Sequence, residues 1–139
     1  MSELVIFDTS VLVDDLRTGC HQERIAATAG LVRTSAVVLA ELWRGARKPA
    51  EREFLRALQR NHPVLCPTAG NWLESGQLLG KIDVDKGLTR EKLRDLHFDV
   101  LIALTARSYG ARLVTSNRAD FEMIGNCCKL KLEIWPAGA

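Results

Sequence analysis

Short apolar segments alternate with helical patterns along most of the 139 residues, and this alternation constrains the fold more than any other feature. The first apolar segment, residues 3–8, is rich in branched side chains, and from Ser10 to Arg17 the apolar positions follow helical spacing. Strands that alternate with helices favour parallel pairing through right-handed crossovers. We therefore predict a layered α/β domain whose ligand-binding residues lie at the carboxyl ends of its strands.

The same patterns place the remaining elements. Further strands are predicted at residues 31–34, 62–66, 111–115 and 129–134. Further helices are predicted at residues 21–29, 36–47, 51–60, 69–82, 98–109 and 119–124. The segment from Asp83 to Asp95 carries charges of both signs, and we predict a loop with a helical tail there. Asp99 is then expected to open the longest apolar helix.

Composition and charge limit the possible classes of protein. A chain of 139 residues has the size of one ordinary domain. Its 47% hydrophobic and 26% charged residues are typical of a globular protein and exclude disorder, collagen-like repeats and a coiled coil. The net charge of +2 is too small for the whole molecule to attract nucleic acid, so an anionic partner requires a local basic cluster or metal ions.

The sequence predicts a cytoplasmic protein. The first residues lack the basic and apolar succession of a signal peptide, and no segment is apolar enough to span a membrane. The cysteines include no C-x-x-C pair, so we expect neither a zinc site nor a disulfide framework. They are Cys20, Cys66, Cys127 and Cys128.

Acidic residues stand where several of these elements begin or end. Asp8 follows the first strand, Asp99 opens the long helix, and the strand at 111–115 ends in Thr115-Ser116-Asn117. In a parallel sheet these positions reach the same rim. Carboxylates brought together repel one another unless a cation neutralises them, and oxygen ligands suit Mg²⁺ or Mn²⁺ better than zinc. The pattern therefore predicts a divalent metal site.

Each acidic residue also has a purely structural interpretation. Asp8 and Asp99 could cap the helices that follow them, each contributing roughly 1 kcal/mol. Glu41 lies in an otherwise apolar helix but could be exposed and pair with Arg44 one turn later. Asp120 could start the short helix after the strand, and Asn117 could serve only a left-handed turn.

Taken together, these segments resemble a known family. They are Asp8-Thr9-Ser10, Ala40-Glu41-Leu42, Asp99-Val100-Leu101-Ile102-Ala103, Thr115-Ser116-Asn117 and Asp120-Phe121. Their order and spacing resemble those of the PIN-domain ribonucleases, and specifically the VapC-type toxins of toxin-antitoxin pairs. The resemblance spans nearly the whole chain, although no single motif is decisive.

The resemblance implies a single PIN-like nuclease domain over residues 1–139. The implied fold is a three-layer α/β/α domain with a central, mainly parallel sheet of about five short strands. The implied activity is that of a Mg²⁺-dependent endoribonuclease, the toxin of a type II system, which cleaves RNA phosphodiester bonds with a metal-activated water. Mn²⁺ is the expected substitute. One or two ions could be bound.

The resemblance also implies a role for each matching residue. Asp8, Glu41 and Asp99 match the three main acidic residues, and Asp120 matches the fourth, more variable one. All four are catalytic and metal-binding candidates, with Asp8 and Asp99 as the main ligands. The supporting polar residues are Thr9, Ser10, Ser116 and Asn117. The family pattern departs at Phe98, where a polar residue is common, and at Cys127-Cys128, which leaves the substrate and partner open.

Partners are implied in the same way: an RNA substrate, a separately encoded antitoxin and a second copy of the chain, with no membrane. RNA-binding candidates just beyond Glu41 are Arg44, Arg47 and Lys48. A second basic group precedes Asp99, where interleaved acids could instead satisfy it locally. It consists of Lys81, Lys86, Arg90, Lys92 and Arg94.

Other functions remain to be weighed. A PIN-like binding or scaffold domain without catalysis is the main alternative. A phosphatase with an aspartate nucleophile would need a second aspartate where Ser10 stands, and a nucleotide-binding domain would need a glycine-rich turn there. The histidines and tryptophans are expected to be structural. They are His21, His62, His97, Trp43, Trp72 and Trp135.

Overall fold

The computed structural model describes residues 2–137, and its central sheet contains five strands that all run parallel. The strand order is β3-β2-β1-β4-β5. The strands are β1 (Leu4–Phe7), β2 (Leu31–Ser35), β3 (Val64–Leu65), β4 (Arg112–Thr115) and β5 (Lys131–Ile134). This arrangement confirms the predicted parallel sheet of about five short strands.

Helices flank the sheet and complete the predicted three-layer α/β/α architecture. They are α1 (Thr9–Thr18), α2 (Gln22–Ala26), α3 (Ala36–Gly45), α4 (Pro49–Asn61), α5 (Ala69–Lys86), α6 (Arg90–Ser108) and α7 (Arg118–Gly125). The strands are added outward from β1 on both of its sides. Because they run parallel, the carboxyl ends of β1, β2 and β4 lie together along one edge of the sheet, the carboxyl edge. That edge is the expected location for ligand-binding residues.

The core lies where β1, β4 and α6 meet. Val5 and Ile6 of β1 and Leu113 of β4 are fully buried. Seven consecutive residues of α6, from Val100 to Ala106, are also buried, so this helix is covered on every side along that stretch. A helix that is apolar all round belongs in the interior. The buried part of α6 therefore fixes the position of Asp99, the residue directly before it.

The charged segment from Asp83 to Asp95 is mostly helical, so the predicted loop is wrong. Helix α5 continues to Lys86 and ends at Gly87, whose φ of +62° is the left-handed conformation that glycine favours. Helix α6 begins two residues later, where the Thr89 hydroxyl accepts the backbone N–H of Lys92 at 3.1 Å. The mixed charges cover exposed helix faces, which masked the helical pattern.

This correction moves Asp99 from the start of a helix into its interior. Nine residues of α6 precede it, because the helix starts at Arg90. An aspartate in that position is not an N-cap, so the capping interpretation of Asp99 is excluded.

Two further expectations concern the chain as a whole. All four cysteines are free thiols, so no disulfide joins any part of the fold that the structure describes. Among residues 2–137, no helix combines the length and the apolar character that a membrane span requires.

Candidate active site

Asp8 stands at the carboxyl edge of the sheet, one residue beyond β1. Its backbone N–H donates to the Val114 carbonyl at 2.8 Å, so the pairing with β4 continues past the strand. Only 2% of Asp8 is exposed. Its Oδ2 accepts hydrogen bonds from the hydroxyls of Ser10 and Thr115, each at 2.8 Å. Its Oδ1 is buried and has no hydrogen-bond partner.

An unpartnered buried carboxylate oxygen is costly and needs an explanation. Asp8 occupies the N-cap position of α1, yet its side chain makes no capping hydrogen bond there. Burial raises the pKa of Asp8, although the hydroxyls of Ser10 and Thr115 and the backbone N–H groups of Thr9 and Ser10 oppose that shift. The free oxygen therefore does not cap α1 and is available to a ligand.

Glu41 projects towards the same edge from α3. The helix is oriented by Ser35 at the end of β2, whose hydroxyl accepts the backbone N–H groups of Val37 and Val38. Glu41 is half-buried, and its Oε1 accepts a hydrogen bond from the Thr9 hydroxyl at 2.8 Å. Burial raises the pKa of Glu41, and the nearby Asp8 charge raises it further. Glu41 therefore belongs to the carboxylate cluster.

The exposed pairing of Glu41 with Arg44 is not observed. Within the described chain the Arg44 guanidinium instead lies 5.6 Å from the centre of the Phe98 ring. Arg44 is close enough to lower the pKa of Glu41 slightly, but it forms no salt bridge with it.

Asp99 joins the cluster from α6. Its pKa is raised to about 8, first by burial and then by the charges of Asp8, Glu41 and Asp120. Lys92 acts in the opposite direction. Each of these three carboxylates is therefore near enough to Asp99 to act on its charge. The structure thus places Asp8, Glu41 and Asp120, which the sequence singles out, around Asp99.

Asp120 completes the cluster from the first turn of α7. Its backbone N–H donates to Asn117 Oδ1 at 3.4 Å, so Asn117 and not Asp120 caps this helix. Asn117 Nδ2 donates back to Asp120 Oδ2 at 3.0 Å. Lys92 Nζ lies 2.8 Å from each carboxylate oxygen of Asp120. Asp120 is therefore the one member of the cluster with a cationic partner in the described chain.

The supporting polar residues do different things. Thr9 orients Glu41, Ser10 orients Asp8, and Asn117 orients Asp120, through the hydrogen bonds already described. Ser116 contributes its backbone N–H, which donates to the Ser10 hydroxyl at 3.0 Å. Its own hydroxyl lies 3.4 Å from His21 Nε2 and so turns away from the carboxylates.

The donor set fits a hard divalent cation. All candidate ligands are oxygens, one of them is buried and unpartnered, and neighbouring carboxylates raise the pKa of Asp99 and of Glu41. In residues 2–137 no three carboxylate, imidazole or thiol side chains already adopt a ligating arrangement. Hydroxyl groups and the Lys92 ammonium hold the carboxylates in place instead. The metal-binding and catalytic roles of the site residues stay predictions.

Sequence reasoning missed two contributions to this site. Thr115 donates directly to Asp8, although its place in the sequence indicates only the end of a strand. The sequence puts Lys92 in a basic group beside the crevice, whereas it pairs with Asp120 inside it. Lys92 precedes Asp99 by seven residues, or about two helical turns. Had residues 90–98 been recognised as helical, that spacing would have placed Lys92 on the same face of the helix as Asp99.

The basic RNA-binding candidates lie on the surface beside the cluster. Arg44, Arg47 and Lys48 are all exposed, and they follow Glu41 at the end of α3. Next to Glu41 and Thr9 is a cleft of about 150 Å³ between α1, α3 and α4. Its lining includes Val13, Leu42 and Leu55 as well as those two polar residues.

The histidines and tryptophans take structural positions in most cases. His21 is buried against Trp135, with ring centres 5.6 Å apart. His97 Nε2 lies 3.0 Å from the buried Ser75 hydroxyl, which joins α5 to α6. Trp72 is the exception, since 52% of its surface is exposed.

Fold and site together define a class: parallel α/β domains that gather acidic side chains at the carboxyl edge of the sheet. The PIN domain model matches residues 5–125, which is most of the chain. The chain therefore belongs to the PIN domain family. No curated protein sequence matches the chain significantly.

Toxin-antitoxin complexes are among the solved structures that are similar to this chain. VapBC2 from Rickettsia felis, bound to a DNA fragment from its promoter, contains a chain with 25% identity and a TM-score of 0.70, covering 95% of this chain and 98% of that one. DNA-bound VapBC from Salmonella typhimurium gives 24% identity, a TM-score of 0.67 and coverages of 97% and 99%. VapBC-1 from nontypeable Haemophilus influenzae gives 21% identity, a TM-score of 0.69 and coverages of 95% and 98%.

Proposed function

We propose that this chain is a VapC-type toxin, a metal-dependent endoribonuclease of a type II toxin-antitoxin system. The observation that carries the proposal is the convergence of Asp8, Glu41, Asp99 and Asp120 at the carboxyl edge of a PIN-domain sheet. Family membership and the similarity to VapBC complexes support it, because PIN domains of VapC toxins are generally nucleases and PIN domains generally use divalent metal ions.

Asp8 and Asp99 would hold the cation, with Glu41 and Asp120 completing or orienting the site. Mg²⁺ is the proposed ion and Mn²⁺ its substitute, since both prefer oxygen ligands. When bound, such an ion supplies a Lewis acid that polarises a phosphoryl oxygen and lowers the pKa of a water molecule. Its charge would also allow Asp99 to ionise near neutral pH.

The protein's own residues position the reaction. The water oxygen loses a proton and forms a bond to phosphorus while the bond from phosphorus to the leaving oxygen breaks, and a proton is taken up by that leaving oxygen. Thr9 holds Oε1 of Glu41, so this carboxylate is fixed at the edge where the water would be oriented. Ser10 and Thr115 hold Oδ2 of Asp8 and leave Oδ1 free to face the site.

The surroundings of the cluster support an RNA substrate. The exposed side chains of Arg44, Arg47 and Lys48 lie just beyond Glu41, where they could bind phosphates on either side of the scissile bond. The net charge of +2 leaves this local cluster to attract the RNA.

An antitoxin and a second copy of the chain are the proposed protein partners. The cleft between α1, α3 and α4 offers apolar side chains directly beside Glu41, which suits a partner segment that covers the acidic site. Helix α5 exposes 74% of Leu73 and 85% of Val84, and this surface is the candidate for a homodimer. A monomeric mass in light scattering would exclude the homodimer.

Cleavage of total cellular RNA by the purified protein tests the activity. Discrete fragments should form with Mg²⁺ or Mn²⁺, and they should disappear with chelator or with Asp8→Ala. The variant guards against a contaminating nuclease. If the folded protein bound metal but cleaved nothing, a non-catalytic PIN-like binding domain would become the better interpretation.

A further inference from the structure

Lys92 is a cation inside an otherwise acidic cluster. Its Nζ lies 2.8 Å from both oxygens of Asp120, and the two side chains are 39% and 17% exposed. Among the residues that the structure describes, Asp8, Glu41 and Asp99 form no salt bridge with a basic side chain. Lys92 is therefore the internal counter-ion of the cluster.

Helix α6 places Lys92 there. Thr89 caps the helix and fixes where its first turn begins, and Lys92 is three residues further on. Asp99 follows after seven more residues, so Lys92 and Asp99 lie on the same face, about two turns apart. Charge from Lys92 reaches Asp99, since it lowers the pKa of that carboxyl.

We propose that the Lys92 ammonium takes the place of a second divalent cation at Asp120, so that the site holds one divalent cation against Asp8, Glu41 and Asp99. This inference rests on the proposed function, and it assigns Lys92 a role towards the phosphate group of the RNA. The ammonium provides the positive charge at the Asp120 end of the site whether or not metal is abundant.

The two ends of the cluster differ in what they offer a cation. Asp120 Oδ1 accepts from Lys92, and Oδ2 accepts from both Lys92 and Asn117. Asp8 Oδ1, by contrast, is buried and has no partner. A first cation therefore binds at the Asp8 end. A second cation at Asp120 must displace the ammonium or bind against its repulsion.

This arrangement also gives Lys92 a use in the reaction. Negative charge develops on the phosphoryl oxygens and the leaving oxygen during hydrolysis, and a fixed N–H donor facing that charge stabilises it without reorganisation. The salt bridge to Asp120 and the Asn117 hydrogen bond behind it hold the ammonium in position.

Counting bound Mn²⁺ by calorimetry tests the proposal directly. Wild-type protein should bind one Mn²⁺ per chain. Lys92→Met keeps most of the length of the side chain but removes its charge. This variant should admit a second Mn²⁺ with an affinity at least about tenfold higher than any second site of the wild-type protein. Lys92→Arg keeps the charge and should still bind one ion. Lys129→Met removes an exposed lysine before β5 and serves as the matched control.

A second substitution locates the additional ion. Asp120→Asn in the Lys92→Met background should return the count to one, because the proposed second site requires the Asp120 carboxylate. Circular dichroism melting curves should show that each variant is folded before its ions are counted.

The proposal is overturned if wild-type protein binds two ions, or if Lys92→Met binds one with unchanged affinity. If either result came with normal metal-dependent RNA cleavage, the proposed nuclease function would stand and only the role of Lys92 would be wrong. If the stoichiometry shifted as expected without any RNA cleavage, the ion count would stand and the proposed nuclease function would fail. Absence of Mn²⁺ binding in every variant would reject both.

Discussion

The two edges of the sheet handle charge in opposite ways. At the amino edge the Arg112 guanidinium lies 3.5 Å from both Glu3 and Glu133, and Lys131 lies 3.9 Å from Glu3. At the carboxyl edge four carboxylates meet a single ammonium. Both edges belong to the same strands, so the fold itself does not require an edge at which negative charges outnumber positive ones. The imbalance is what the proposed cation site would require, since carboxylates without a counter-ion lower stability.

Removing one carboxylate at the carboxyl edge should have the largest effect. Asp99→Asn is expected to lower RNA cleavage at least roughly a hundredfold, because it removes a proposed metal ligand from the cluster. The fold should survive, since the amide has the same shape. Initial rates on a defined RNA measure the effect. Glu91→Gln, on the exposed start of α6, is the control and should cleave normally; full activity in Asp99→Asn would reject the assignment.

Metal-free protein should lose stability as the pH rises. Asp99 has a pKa of about 8 in the folded protein against 3.8 normally, so between these values the folded state binds the additional proton. Its contribution is complete below the unfolded pKa and is lost as the pH rises to about 8. The free energy of unfolding should fall by a few kcal/mol across that window.

Urea unfolding in chelator, measured from about pH 5.5 to pH 8, tests the sign of this effect. The lower limit avoids the opposite contribution of Glu74, whose pKa is lowered by Arg107 and whose stabilisation is lost towards acid. Asp99→Asn should make the slope shallower, while the raised pKa values of Asp8 and Glu41 leave part of it in place. If the free energy of unfolding of the wild-type protein rose across the same window, the pKa of Asp99 would not be raised by its surroundings.

Charge reversal beside the carboxyl edge should weaken RNA binding rather than chemistry. Arg44→Glu and Arg47→Glu are expected to raise KM and to reduce the salt dependence of KM by roughly 0.7 in log–log slope for each phosphate that the variant no longer binds. Cleavage rates at several salt concentrations measure this. Arg60→Glu, on the outer side of α4 near Glu53, is the control; equal effects in all three variants would remove the special role of Arg44 and Arg47.

A substitution at the amino edge should have the smallest effect. Arg112→Met leaves Glu3 and Glu133 partly solvated, so we expect a loss of about 1 kcal/mol or less in the free energy of unfolding. RNA cleavage should be unchanged, because this edge lies at the other end of the strands. A larger loss of cleavage than of stability would show that the two edges are coupled.

Much of the fold could be predicted because its strands are apolar and separated by clear helical patterns. The parallel direction of the five strands follows from that alternation. The segment from Asp83 to Asp95 could not be predicted, because charges of both signs on exposed helix faces resemble a loop. That error placed Asp99 at a helix start and hid the helical spacing between Lys92 and Asp99.

The candidate site was predictable in its members but not in its internal contacts. Acidic residues at the ends of elements identify the rim of a parallel sheet, and this led to Asp8 and Asp99, whereas Asp120 was assigned to the site by the family resemblance. Hydrogen bonds between distant segments, such as Thr9 to Glu41 and Thr115 to Asp8, depend on how the helices pack. The direction of a side chain on a loop is equally inaccessible, as Ser116 shows by turning towards His21.

The melting temperature of the chelator-treated protein, measured at about pH 8 before and after Mn²⁺ is added, tests the central claim most directly. If the carboxyl edge is a cation site, saturating Mn²⁺ should stabilise the wild-type protein by about 3 kcal/mol when the ion is roughly a hundredfold above its Kd. The Asp8→Asn variant should gain little stability from Mn²⁺. A melting temperature that does not rise, or that rises equally in Asp8→Asn, would contradict the account.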